Sequence, residues 1–89
     1  MTLYSIKWKS SARKEIKKLP KDIIIKIINT VDKLTVNPFP TGSRKLTGTQ
    51  HTYRLRVGNY RIVYSVETDN LLILIIRIRH RKDVYKNLP

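Results

Sequence analysis

From residue 44 onward this 89-residue chain holds seven arginines, spaced as side chains that share faces of extended strands. Arg54 and Arg56 stand two apart, as do Arg77, Arg79 and Arg81, and Arg61 lies between the two groups. Residues two apart on a strand point the same way. Guanidinium is a planar fork that stays charged and grips phosphate through parallel hydrogen bonds, so it is a poor proton shuttle and a strong electrostatic clamp. The chemistry open to such a cluster is the handling of a phosphodiester. RNA carries its own nucleophile, the 2′-hydroxyl, which attacks the neighbouring phosphate when held in line, and arginines stabilise the charge growing on the phosphate oxygens. The plain reading of any one of these arginines is a polar residue on the wet face of an antiparallel sheet. Six on three neighbouring strands, beside tyrosines and with few carboxylates to pair them, point instead to a surface for single-stranded RNA or phosphate.

Other chemistries find less support. His51 and His80 are candidates for the acid–base pair of a metal-free ribonuclease, or are ordinary partly exposed histidines. The carboxylates Glu15, Asp22, Asp32, Glu67, Asp69 and Asp83 show no metal-ligand spacing, so neither a two-metal nuclease nor any other metal site is expected. Cysteine is absent, which removes disulfides, thiolate ligands and a cysteine nucleophile. No glycine-rich phosphate loop is present, and no cofactor is expected.

The length fits one domain spanning residues 1–89, small enough to have little room for a deep pocket. Nineteen Lys and Arg against six Asp and Glu give a net charge of +13, a field that attracts nucleic acid, an anionic surface or an acidic protein. The two cation types are segregated: eight lysines and Arg13 precede residue 35, whereas arginine dominates after residue 43. No signal peptide is visible, and LLILII (71–76) is far shorter than the ~20 residues of a membrane helix, so a cytoplasmic protein without membrane contact is expected.

The elements that must carry the arginines follow from periodicity. LYSIKWK (3–9) alternates as a strand. Ser10 or Ser11 is a candidate cap for a short helix with Ala12, Ile16 and Leu19 on one stripe. Pro20 suits the first turn of a second helix, in which Ile24, Ile27, Ile28, Val31 and Leu34 recur at helical spacing before Asn37-Pro38 ends it. Residues 37–50 read as a basic loop containing Arg44 and Lys45. HTYRLRV (51–57) and YRIVYSV (60–66), joined by Gly58-Asn59, read as a hairpin. A turn at 67–70 leads to LLILIIRIR (71–79), apolar on both parities and therefore expected in the sheet interior with both faces covered. The order is β-α-α-β-β-β: an α+β fold with a small, mostly antiparallel sheet and a helical hairpin on one face. If Leu55, Ile62 and Tyr64 pack on the helices, Arg54, Arg56 and Arg61 emerge on the open face.

The run KLTGTQHTYRLRVGNYRIVYSV (45–66), followed by a hydrophobic strand and HRKDVYK (80–86), resembles the RelE-type toxins of bacterial and archaeal toxin–antitoxin systems, within the RelE/ParE superfamily. The resemblance spans nearly the whole chain and implies the same β-α-α-β-β-β fold. It implies a ribosome-dependent endonuclease that cleaves mRNA in the ribosomal A site without metal, the ribosome supplying the positioning that a flat basic site lacks. On that resemblance Arg54 and Arg56 orient and neutralise the phosphate, and Arg61 clamps it. Arg81 stabilises or protonates the leaving 5′-oxygen, and Tyr85 stacks on a base, with His80 a candidate base in its place. Arg44, Lys45, Arg77, Arg79 and Lys82 are expected to grip RNA. The implied partners are the ribosome, mRNA and a cognate antitoxin with an acidic and apolar extended segment, through which the complex is expected to reach operator DNA. Two other functions compete: the ParE branch, which inhibits DNA gyrase, and a basic module that binds nucleic acid without turnover.

Overall fold

A computed structural model describes residues 3–80. The order is β1 (Ser5–Trp8), α1 (Ser10–Lys17), α2 (Lys21–Leu34), β2 (Arg44–Lys45), β3 (Thr52–Val57), β4 (Tyr60–Glu67) and β5 (Leu72–His80). Together the strands form one sheet in the order β1-β5-β4-β3-β2, antiparallel throughout except for the parallel β1–β5 pair. The α+β arrangement is the one expected, with one added strand: the basic loop contributes β2, which extends the β3 edge by two residues.

Each helix is fixed to the sheet by its apolar stripe. Ala12 from α1 and Ile27, Val31 and Leu34 from α2 are buried against Leu55, Ile62, Tyr64, Val66, Ile73, Ile75 and Ile78 of the strands. Tyr4, Ile6 and Trp8 join them from β1 and its approach, while Ser5 and Lys7 face away, as strand alternation requires. Ile28, placed on the stripe by spacing, is instead exposed, at the edge of a shallow depression shared with Trp8, Arg13, Ile16 and Lys17. Neither Ser10 nor Ser11 caps α1; Lys9 occupies the N-cap position without a side-chain hydrogen bond. Pro20 stands one residue before α2, in the N-cap position.

Gly58-Asn59 closes the β3–β4 hairpin with Val57 opposite Tyr60. Gly58 has φ +59°, the left-handed backbone that a primed hairpin turn asks of its first residue. Tyr64 anchors the segment after α2: its buried hydroxyl donates to the Pro38 carbonyl at 2.8 Å. Its ring stacks on Tyr53, which meets Phe39 edge-on.

β5 lies inside the sheet, between β1 and β4, but only its helix-side residues are fully buried; Leu72, Leu74 and Ile76 on the other parity are half-exposed. Its apolar character on both parities has a different cause from burial on both faces. Tyr64 pairs with Ile75 and Val63 with Arg77, so the β4 ladder passes over Ile76. Such a bulge inserts one residue and switches the parity that follows. Before it Ile73 and Ile75 face the helices; after it Ile78 does.

Candidate nucleic-acid interface

The switch at Ile76 decides where the last arginines go. Had the parity of Ile73 and Ile75 continued, Arg77 and Arg79 would enter the core. The extra residue turns both onto the open face, where two rows of side chains run across the strands. In the first, Arg56 pairs with Arg61 and Arg61 with Arg79. In the second, Arg44 pairs with Arg54, Arg54 with Val63 and Val63 with Arg77. Neighbouring strands lie about 4.8 Å apart, so the first row sets three arginines side by side on adjacent strands. Six of the eight arginines of the chain stand on this one face. Val63 forms a buried apolar floor among them, outside the helix-side core.

Individual arginines are held by their surroundings. Arg56 donates from Nε to the Gly58 carbonyl at 3.2 Å, which folds it back toward the hairpin turn. Arg77 and Arg79 meet Glu15 of α1: its Oε2 lies 3.3 Å from a terminal nitrogen of Arg77 and 2.6 Å from Nε of Arg79. The other Glu15 oxygen accepts the Ile78 backbone N–H at 3.0 Å. β1 accompanies β5 only as far as Ile75, so the next stretch of β5 edge has no strand beside it. Two side chains of α1, four residues apart and therefore on one helix face, take its place. Glu15 accepts from Ile78, and Ser11 donates its hydroxyl to the Ile76 carbonyl at 2.8 Å.

The other candidates separate from this face. Lys45 pairs with Tyr53 and so points to the opposite side from Arg44 and Arg54. His80 pairs with Tyr60, their rings 5.3 Å apart and nearly perpendicular. Both share the parity of Ile62 and Ile78, which puts His80 on the helix side, across the sheet from Arg61. There it borders an open depression of about 280 Å³ that Glu15 and Arg79 also line, with Lys18, Leu19, Tyr60 and Ile78. His51 stands at the far end of β4, its carbonyl accepting the Val66 N–H. Tyr60 and Val66 are six residues apart along that strand, roughly 20 Å at about 3.3 Å per residue. The two histidines therefore cannot serve one phosphate as an acid–base pair. Arg81, Lys82 and Tyr85 lie outside the described residues. Sequence reasoning did not single out Ser11 or Glu15 for this site; their four-residue spacing is visible in the chain, but the β5 edge that they serve is not.

Burial pushes the Tyr64 hydroxyl up to about 12, which keeps it a neutral donor to Pro38. Among the described residues no group of three or more His, Cys, Asp or Glu side chains stands close enough to hold a metal ion. No described helix is long and apolar enough to cross a membrane.

Comparison with known proteins agrees with this architecture. Residues 6–85 match the family described as the ParE toxin of the type II toxin–antitoxin system parDE. A Methanocaldococcus jannaschii protein named for the RelE toxins is 34% identical over 77 residues, covering 83% of this chain and 86% of its own. Toxin RelG of Mycobacterium tuberculosis is 29% identical over 87 residues, covering 93% and 97%. Among solved structures, the archaeal RelE–RelB complex of Pyrococcus horikoshii superposes with a TM-score of 0.81 at 30% identity, over 90% of this chain and 97% of that one. The isolated Escherichia coli RelE toxin shares the fold, with a TM-score of 0.77 at 20% identity over 96% and 99%.

Proposed function

The chain belongs to the RelE/ParE family of type II toxin–antitoxin toxins, and within it we propose that it is a ribosome-dependent mRNA endonuclease of the RelE kind. The observation that carries this reading is the cross-strand pair Arg56–Arg61, flanked by Arg54, on one face of the sheet. A gyrase inhibitor has no need of a phosphate-sized arginine cluster; a metal-free nuclease does. Arg54 and Arg56 orient the RNA backbone, and Arg61 clamps the scissile phosphate as charge accumulates on its non-bridging oxygens. The 2′-hydroxyl gives its proton to water and its oxygen forms the new bond to phosphorus. The bond to the 5′-oxygen of the next nucleotide breaks, that oxygen takes a proton from water, and a cyclic phosphate remains. Arg81 stabilises the leaving oxygen and Tyr85 stacks on a base. The ribosome holds the messenger in line, a contribution worth several kcal/mol in any reaction limited by orientation.

The same reading supplies the partner. A toxin with a net charge of +13 in 89 residues repels itself, and an acidic antitoxin segment laid along it offsets that repulsion. Structural relatives were solved as complexes of RelE with RelB, so a RelB-like antitoxin is the expected occupant. Such a toxin works in the cytoplasm, where translating ribosomes are.

Primer extension on a defined mRNA, naked and on translating ribosomes, tests the reading with the wild type and the Arg61→Ala and Arg81→Ala variants. Cuts at A-site codons that require ribosomes and vanish in both variants are the expected result. Absence of cuts from folded wild-type protein would favour gyrase inhibition or binding without turnover.

A further inference from the structure

We infer that Glu15 is a positioning residue of the arginine face, acting through Arg79 on the place of Arg61. The inference rests on the RNA-cleavage reading above. Its starting point is a like-charge problem: Arg61 lies directly opposite Arg79, and Arg56 directly opposite Arg61, in one row. Like charges on directly opposite strand positions repel. Glu15 meets the row at its β5 end. Its Oε2 is 2.6 Å from Nε of Arg79, a charge contact without hydrogen-bond geometry. With the two side chains only 20% and 24% exposed, solvent screens this pair less than a surface one.

The carboxylate does two separable things. Through Oε1 it accepts the Ile78 N–H and closes the bare edge of β5. Through Oε2 it neutralises Arg79 and draws that guanidinium toward α1, away from the middle of the row. The first task needs only an acceptor oxygen; the second needs the negative charge. With the charge removed, Arg79 turns back over the sheet, where it repels Arg61 and competes with it for the phosphate. Glu15 thereby holds Arg77 and Arg79 at the α1 edge, apart from Arg56 and Arg61 in the middle of the sheet.

The test is Glu15→Gln, whose amide oxygen still accepts from Ile78, beside the double variant Glu15→Gln/Arg79→Gln. Ribosome-bound mRNA cleavage is followed under saturating and subsaturating conditions, and Ile78 amide exchange reports the edge bond. The expected result is a kcat about tenfold or more below wild type for Glu15→Gln, with KM and Ile78 protection changed by less than about twofold. The double variant recovers to within about threefold of wild type, because neutralising Arg79 removes the need for its counter-charge. A Glu15→Gln protein that cuts as wild type overturns the inference. So does a loss that the double variant fails to recover, which would make Glu15 a purely structural closure of β5. A wild type that cuts no ribosome-bound mRNA is a different result: it overturns the nuclease reading itself, and this inference with it.

Discussion

The Ser11 hydroxyl donates to the carbonyl of Ile76, the residue that the β4–β5 pairing passes over. A bulge leaves the backbone of its extra residue without a ladder partner, and a half-buried carbonyl without a partner is costly. Ser11 satisfies it from the neighbouring helix. Ser11→Ala is therefore expected to lower stability by about 1 kcal/mol, or roughly 4–8 °C in melting temperature for a domain of this size. Urea melts measure the loss. Amide exchange at Ile76–Arg79 should rise more than exchange elsewhere, because the bulge and the arginines after it share one anchor. A uniform change along the sheet would disconnect Ser11 from the bulge.

Strand periodicity sorted Arg54, Arg56 and Arg61 onto the open face because β3 and β4 up to Val63 alternate without interruption, and two-residue spacing is all that alternation needs. At β5 the same alternation puts Arg77 and Arg79 on one side, as the structure does, but it does not reveal the switch of parity before them. LLILII offers apolar residues at every position, so nothing in the letters marks Ile76 as the residue to be skipped between the partners of Val63 and Tyr64. The role of Glu15 was hidden for a related reason. It lies more than sixty residues from Arg77 and Ile78 in the chain, and only the early end of β1 at Trp8 exposes the β5 edge that it closes. β2 was invisible because two residues, Arg44 and Lys45, carry no period at all. His80 misleads by neighbourhood: it adjoins Arg79 and Arg81 in sequence, yet strand parity turns it to the opposite side from Arg79.

The cross-strand pair Arg56 and Arg61 should trade stability for function. Arg56 is exposed, and removing one of two opposed like charges relieves a repulsion of a few tenths of a kcal/mol, ~0.2–1 for a cross-strand pair. Arg56→Thr also places a β-branched residue on a strand. The variant is expected to unfold at slightly higher urea concentration than wild type in low salt, with the gain shrinking as salt screens the pair. Its cleavage of ribosome-bound mRNA should fall at the same time. Equal stability at every salt concentration would mean that the two guanidinium groups already avoid each other.

Tyr64 gives the fold an alkaline limit. Its folded-state value of about 12 lies above the ordinary 10.0, so the folded chain holds this proton more tightly than the unfolded one. The stabilisation is complete below pH 10 and is lost as pH rises toward and through about 12. Tyr64→Phe forgoes the bond to Pro38 and should cost about 1 kcal/mol at neutral pH. Above pH 10 its stability should decline less steeply than that of wild type, and the two curves should converge. Every other side chain is common to both proteins, so the difference between the curves isolates Tyr64. Parallel curves would show that the hydroxyl ionises in the folded state as readily as outside it.

Enzyme and simple binding module differ in what one arginine is worth. If the open face merely coats RNA, each of Arg54, Arg56 and Arg61 neutralises about one phosphate, and each alanine substitution lowers the salt slope of single-strand binding by about 0.7. Affinity then falls by similar small steps at all three positions, with no consequence beyond occupancy. If the face stabilises a transition state, Arg61→Ala instead removes an interaction made chiefly as charge grows on the phosphate, and cleavage falls by about a hundredfold or more while binding loses only its one-phosphate share. Arg44→Ala, on the same face but at the β2 edge, serves as the reference for a cation outside the central row. It should shift the salt slope as Arg61→Ala does and leave cleavage, measured at saturating ribosomes, within about threefold of wild type. Matching losses of cleavage and affinity across all four positions would identify the surface as a coat rather than a catalyst.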